Sequence, residues 1–436
     1  MSTTNESDGA PILPIAVALA NDLRSCADEL GELTERTTGL GQDSYLEELA
    51  ATQVASDPRV ATARVAIVAQ THAELTRRQQ LLAMAIRGNH DLGFLRSQGV
   101  YTLMGGPPPR VAAIFPGQGM QYPNMLREAA SYFPKLEETL SRIDLAYQEL
   151  TGRDLRPTFW VDDVESYVEQ DEDIPCALFA VNIALFEVLG QYGCRFDAVM
   201  GQSIADISAL VASGLLSIEE GLEVVWQRNQ ALMALPCIDR GRMISVMCTA
   251  EMAEELTSHL GGYAVIAAYN CPTAYILSVS TKVVDSLLER CRKIGVRAVP
   301  IPISHAYHSK LIAGATDRYR RTVDALSFRP LQCDLVSSIT GHSMQVLEHQ
   351  VVRNDLVRQL VDPIHVQKAI ETLYENDVRI FIECGPRSAL TTYVNEALAD
   401  QPHIAQPTLH PQVGELEYLF RAIACLFTHG IGQLTW

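Results

Sequence analysis

The chain has 436 residues, 47% of them hydrophobic and 20% charged, which is enough for two or three domains around a substantial core without staples. Its 52 acidic residues outweigh 34 basic ones, and a formal net charge of −18 argues against a nucleic-acid or anionic-membrane surface. An acidic partner would need a local basic patch, such as one near Arg353, Arg358 or Arg318 to Arg321. The ten cysteines form no Cys-x-x-Cys pair and sit mostly in apolar runs, so neither a metal site nor a disulfide framework is expected. No apolar stretch approaches the ~20 residues of a membrane span, and the polar, acidic start is unlike a signal peptide. A cytoplasmic protein is expected.

In chain order, residues 1–10 read as a disordered tail. An apolar run (Ile12 to Leu19), an acidic helix (Asp22 to Glu35), the segment Arg59 to Gln70 and a helix starting near Thr71 then suggest a small α/β unit over residues 11–104. The stretch Gly99 to Arg110, with Gly105-Gly106-Pro107-Pro108-Pro109, breaks the periodicity and reads as a linker.

From Val111 onward, apolar runs alternate with helical segments, the pattern of an α/β domain with a largely parallel sheet. Core strands are expected at Val111 to Phe115, Ala198 to Gly201, Asp334 to Ser337 and Arg379 to Glu383. Helices are expected at Cys176 to Gly190, Asp206 to Gly214 and Ile218 to Leu235. Between Gly241 and Ile301 the order becomes β-α-β-β-α-β, that of a ferredoxin-like insert. Residues 111–240 and 302–410 thus form a large subdomain, 241–301 a small one, and 411–436 a C-terminal helix and tail.

Three segments carry chemistry. Gly201-Gln202-Ser203-Ile204-Ala205 follows an apolar run and precedes an amphipathic pattern, the form of a nucleophile elbow. Phe115-Pro116-Gly117-Gln118-Gly119 is a glycine-rich turn able to aim a backbone N–H at a bound carbonyl. Ser304-His305-Ala306-Tyr307-His308-Ser309 leaves the insert and offers a base, which puts the expected site in the cleft between the subdomains. Each alone has a plain alternative: Ser203 as a helix cap, His308 as a satisfied histidine. Together and in this order they point to an activated serine nucleophile.

These motifs resemble the malonyl-CoA:acyl-carrier-protein transacylase family, which includes the acyltransferase domains of fatty-acid and polyketide synthases. Residues 12–98 are similar to the linker that joins ketosynthase to acyltransferase in modular polyketide synthases. The resemblance implies an α/β-hydrolase-like core with the ferredoxin-like insert, and a ping-pong reaction through a seryl ester of Ser203. It implies His308 as base, oriented by a backbone carbonyl in the segment holding Gln359, and an oxyanion hole from the N–H groups of Gln118 and Ile204. It assigns Arg228, 25 residues after Ser203, to the free carboxylate of a malonyl-type substrate; the alternative is a solvated helix charge.

Gln202, Tyr307 and Asn270 fall at acyl-pocket positions by the same resemblance, and an Asx-turn before Pro272 is the other reading of Asn270. Tyr307 stands where malonyl-type members commonly carry Phe, and its ring would fill the space of a C2 methyl. Gln202, Ala205 and Asp206 depart from the family's His, Gly and Glu and leave the acyl group open. No bound cofactor is implied: a CoA thioester and a carrier's phosphopantetheine are substrates. The implied partners are an acyl carrier protein and other polyketide synthase modules. Competing readings are an acyl hydrolase that clears stalled carriers, a transferase of an unusual acyl group between carriers, and an inactive docking module.

Overall fold

The computed structural model describes residues 11–54, 61–88, 92–162, 172–236, 239–258, 260–344 and 349–434. The expected tail 1–10 and Cys237 lie outside the described residues. The first unit runs β1 (Ile15–Ala20), α1 (Leu23–Arg36), α2 (Gln42–Val54), β2 (Ala63–Val68), α3 (His72–Ile86), α4 (Leu92–Ser97) and β3 (Val100–Met104). Its antiparallel sheet has the order β1-β2-β3. The start signals are local. Asp22 accepts the Ser25 N–H at 2.9 Å to cap α1, and Thr71 accepts the Glu74 N–H at 3.3 Å to cap α3.

Two features of this unit differ from the sequence reading. The stretch expected to be linker holds β3, whose Val100 and Tyr101 are buried, so the connection begins only at Gly105. Helix α2, which the sequence reading did not identify, buries Tyr45, Leu46 and Leu49.

The large subdomain begins with β4 (Arg110–Phe115), α5 (Arg127–Tyr132), α6 (Pro134–Thr151), α7 (Ile174–Gln191), β5 (Ala198–Gly201), α8 (Asp206–Ala212) and α9 (Ile218–Met233). The insert follows as β6 (Arg242–Met247), α10 (Ala250–Ser258), β7 (Ala264–Cys271), β8 (Ala274–Val279), α11 (Val284–Lys293) and β9 (Arg297–Pro300). The chain returns through α12 (Thr316–Asp324), β10 (Asp334–Val336), α13 (His349–Arg358), β11 (Ile364–His365), α14 (Val366–Glu375), β12 (Val378–Pro386), α15 (Ala389–Ala397), β13 (Ile404–Leu409) and α16 (Glu415–Thr428).

The central sheet has the order β10-β5-β4-β12-β13, with every neighbouring pair parallel. The insert's sheet has the order β11-β7-β8-β6-β9. Its own four strands follow the ferredoxin-like order, and β11 of the large subdomain adds to its edge in parallel.

Helix α7 corrects one expectation. Its 18 residues, with a mean hydropathy of 1.7, match a membrane span in length and composition. Most of it is buried inside the fold, packed against α6, α9 and β12, which is the environment of a core helix.

The two faces of the N-terminal sheet serve different cores. Ala16, Val65 and Ile67 pack under that unit's own helices, whereas Ile15, Val17, Ala66 and Val68 join the main core with Phe420 and Ile423 of α16. A strand period of two makes this division possible. Helix α16 therefore lies between the two sheets, held by a buried ion pair between Arg78 of α3 and its Glu417 at 2.8 Å.

Candidate active site

The parallel register sets Phe115 beside Gly201, so the turns leaving β4 and β5 are adjacent at the carboxyl edge of the sheet. Ser203 sits at the elbow with φ 57°, the left-handed region that strains a residue bearing Cβ. Gly201 is required there, because a Cβ on it would lie 2.2 Å from the Ala205 carbonyl. Ala205 itself is buried and helical, with φ −72°, and its methyl is accommodated within the turn.

The Ser203 Oγ lies 2.8 Å from His308 Nε2, across 105 positions of sequence. His308 also has a left-handed backbone, φ 58°, and is buried. The segment before it is clamped where the insert leaves and rejoins the large subdomain. The Ala306 N–H donates to the Arg240 carbonyl at 2.7 Å, and the Ser278 hydroxyl of β8 donates to the Tyr307 carbonyl at 2.5 Å. Burial, then the nearby Arg228 guanidinium, lowers His308 to about 3, against backbone groups of Gln359 and Asp362 that favour its protonated form. The imidazole is thus neutral at pH 7, with Nε2 free to accept the serine proton. Nδ1 completes no hydrogen bond among the described residues.

Gln359 is at the site, but its side chain braces the elbow and does not touch the imidazole. Its Nε2 donates to the Ser203 carbonyl at 2.6 Å and to Asp206 Oδ2 at 2.7 Å. The sequence alone implies a role for this residue only through its backbone.

Gln118 lines the cavity, while Ile204 is buried in the turn after Ser203. The glycine-rich turn is fixed on several sides. Gln202 Oε1 accepts the Gly117 N–H at 3.4 Å, Asn182 Nδ2 donates to the Pro116 carbonyl at 3.2 Å, and Arg387 Nε donates to the Met120 carbonyl at 3.0 Å. Gln202 Nε2 also donates to Asn270 Oδ1 at 3.0 Å, and Asn270 Nδ2 reaches the Tyr393 hydroxyl at 3.4 Å. Gln202 therefore joins the glycine-rich turn to β7 of the insert. Asn270 faces this bridge with its side chain, whereas an Asx-turn would direct it to its own backbone.

A cavity of about 560 Å³ runs between the subdomains, lined by Gln118, Ser203, Arg228 and His308 on one side and by Met243, Ala268, Ile276 and Val299 on the other. Arg228 is 1% exposed, and neither its Nε nor its Nη2 has a hydrogen-bond partner. No carboxylate lies within ion-pair distance of it among the described residues. Its guanidinium carbon lies 5.3 Å from the centroid of the buried Tyr307 ring, a cation–π contact. A solvated helix charge is thereby excluded for this residue.

Arg387 and Tyr393, which the sequence reading did not single out, also line the cavity. Arg387 follows β12 directly, and the carboxyl end of a parallel strand was the signal that could have found it. Three of the five arginines expected to offer a basic docking patch have polar partners within the chain. Arg358 pairs with Asp362 at 2.7 Å, Arg353 bonds the Leu326 carbonyl at 2.6 Å, and Arg320 reaches Asn354 at 3.5 Å.

A parallel sheet with a serine elbow at its edge and a ferredoxin-like insert over the cleft is the architecture of an acyltransferase. The chain belongs to the acyl transferase domain family, whose profile matches residues 113–431, and it is of the polyketide synthase type. Polyketide synthase GfsE of Streptomyces halstedii is 31% identical over 332 residues, covering 74% of this chain and 9% of that protein. The chain spans between 4% and 16% of the length of the curated synthases it matches. The acyltransferase domain from module 8 of the salinomycin polyketide synthase superposes with a TM-score of 0.81 at 24% identity, over 97% of each chain. A malonyl-transacylase solved in complex with its type II polyketide synthase acyl-carrier protein gives a TM-score of 0.61 at 23% identity, over 68% of this chain and 95% of that one.

Proposed function

We propose that this domain transfers a malonyl group from malonyl-CoA to the phosphopantetheine thiol of an acyl carrier protein through an ester on Ser203. The observation that carries the reading is Arg228: a buried cation with two unpartnered nitrogens, Nε and Nη2, in the same cavity as the serine. A buried charge without a partner is costly, and a planar guanidinium is matched by a carboxylate that accepts two parallel hydrogen bonds. An acyl group with a free terminal carboxylate supplies that partner; an acetyl group does not.

In the first half-reaction the Ser203 oxygen attacks the thioester carbonyl while His308 Nε2 takes its proton. The N–H groups of Gln118 and Ile204 stabilise the oxyanion, a contribution of typically ~3 to 4 kcal/mol per donor. Collapse breaks the C–S bond, and His308 returns the proton to the departing CoA sulfur. In the second half the carrier thiol gives its proton to His308 and attacks the seryl ester, and the serine oxygen leaves with that proton. The neutral imidazole suits both steps, because it must accept a proton first each time.

Intact-mass measurement after mixing with malonyl-CoA or acetyl-CoA, with and without a phosphopantetheinylated carrier, tests the reading. The expected result is a malonyl adduct on Ser203 that persists until the carrier arrives and then appears on it. Equal labelling by both thioesters removes the malonyl assignment. Rapid release of free malonate without a carrier favours the hydrolase instead.

A further inference from the structure

Asp206 is the buried carboxylate closest in sequence to the nucleophile, and the mechanism above does not use it. It opens α8, three residues after Ser203, and its Oδ2 accepts from Gln359 Nε2 at 2.7 Å and from the Ser338 hydroxyl at 2.7 Å. The same Gln359 nitrogen donates to the Ser203 carbonyl at 2.6 Å. One amide thus ties the left-handed serine to a carboxylate fixed at its own far side by the loop after β10. We propose that Asp206 is a positioning residue of the acyl-transfer centre, holding the Ser203 backbone through Gln359, and that its ionised form is the active one.

The argument rests on the reading of Ser203 as nucleophile and on two physical effects. An ionised acceptor makes the stronger, charge-assisted hydrogen bond, so the brace is tightest when Asp206 carries its charge. A buried negative charge near the dyad also favours the imidazolium that forms when His308 takes the serine proton, as the aspartate of a triad does from a different position. Asp206 titrates in the neutral range, because burial pushes it up to about 7 against the bonds from Ser338 and Gln359.

The groups around it are few. Asp355 on α13 repels its charge, and Arg228 on α9 and Tyr319 on α12 interact with it. Of the elements packed on α8, β5 carries no titratable side chain, β4 only Arg110 at its opposite end, α7 only Cys176 and Glu187, and α9, besides Arg228, only Glu219, Glu220 and Glu223 near its start. His308, held near 3, does not change charge around neutrality, whereas Asp206 beneath the elbow does.

The test follows Ser203 reactivity against pH with two reagents: malonyl-CoA, and a fluorophosphonate that needs only an activated serine. For the wild-type protein both rates are expected to rise about fivefold or more between roughly pH 6 and 8. D206N keeps an acceptor for both donors but loses the charge, and should be flat at the low plateau with the fold intact by circular dichroism. S338A removes one bond that favours the ion, so its step should move to higher pH. A step that survives in D206N, a step unmoved in S338A, or a wild-type profile without a step overturns the proposal. Failure of malonyl-CoA alone, with the fluorophosphonate step in place, would count against the malonyl reading and leave Asp206 in its role.

Discussion

Arg228 lies over Tyr307, its guanidinium carbon 5.3 Å from the ring centroid, so the cation that lacks a carboxylate partner rests on an aromatic face. The contact and the burial of Arg228 restrict the guanidinium before any substrate arrives, which lowers the ordering cost of binding. On the malonyl reading, Arg228→Ala removes the bidentate contact to the substrate carboxylate, a loss of about 1.5 to 3 kcal/mol or roughly 10- to 150-fold. Malonylation of Ser203, followed by mass, is expected to fall by that factor while acetylation holds or rises. Arg228→Lys should recover only part of it, since an ammonium cannot present two parallel donors.

Tyr307 has a second consequence. It is 5% exposed and lines the cavity directly beside His308, so on the proposed reading its ring takes up volume that the acyl chain would enter. Tyr307→Ala should admit a C2-branched extender, and the ratio of methylmalonyl to malonyl loading in direct competition should rise about 10-fold or more. Tyr307→Phe keeps the ring and should leave that ratio near its starting value. Unchanged selectivity in the alanine variant would show that the methyl is excluded by another wall of the pocket.

Much of this site was legible in the sequence because its parts are local. The elbow, the glycine-rich turn and the histidine segment each lie within a few residues, and strand-end positions in a parallel sheet converge by topology. The use made of Gln359 was not legible, because a side chain 156 positions from Ser203 bonds a backbone carbonyl and no local pattern encodes that. The bridge from Gln202 through Asn270 to Tyr393 was hidden for the same reason. In the fold, β3 was lost to its flanking glycines and its five-residue length. Helix α2 was lost because only Tyr45, Leu46 and Leu49 mark a buried stripe.

The N-terminal unit is bound to the rest of the chain through charge as well as apolar contact. Glu417 accepts from Arg78 at 2.8 Å, from Arg421 at 2.8 Å and from Gln70 at 3.2 Å, and burial leaves both it and Arg78 nearly dry. Removing one partner of such a pair strands the other charge, at a cost of about 3 to 5 kcal/mol. Glu417→Ala is therefore expected to lower the chemical-denaturation midpoint sharply. The double variant Arg78→Met with Glu417→Leu, which leaves no orphaned charge between these two positions, should recover much of the loss. If the double variant were no better than the single, the pair would be contributing attraction beyond its desolvation cost.

Acid stability gives an independent reading of the base. His308 titrates at about 3 in the folded protein, below its ordinary 6.5, because burial and then Arg228 disfavour the imidazolium. A depressed pKa means that the unfolded chain binds the proton more readily. The stabilisation tied to this group is thus complete above about pH 6.5 and is lost progressively as pH falls towards 3. Asp206 and Glu383, both raised to about 7 by burial, act in the other direction: what they contribute is present in acid and is lost as pH rises through 7. Comparing His308→Gln with the wild type at each pH cancels the carboxyl groups and isolates the histidine. The variant's melting temperature should gain on the wild type's steadily from about pH 6.5 down to pH 4, following the protonation of the unfolded histidine. Parallel curves over that range would mean that the imidazole takes up its proton in the folded state at an ordinary pKa. His308 would then be partly protonated near neutrality, and a smaller fraction of the protein would hold the neutral imidazole that accepts the serine proton.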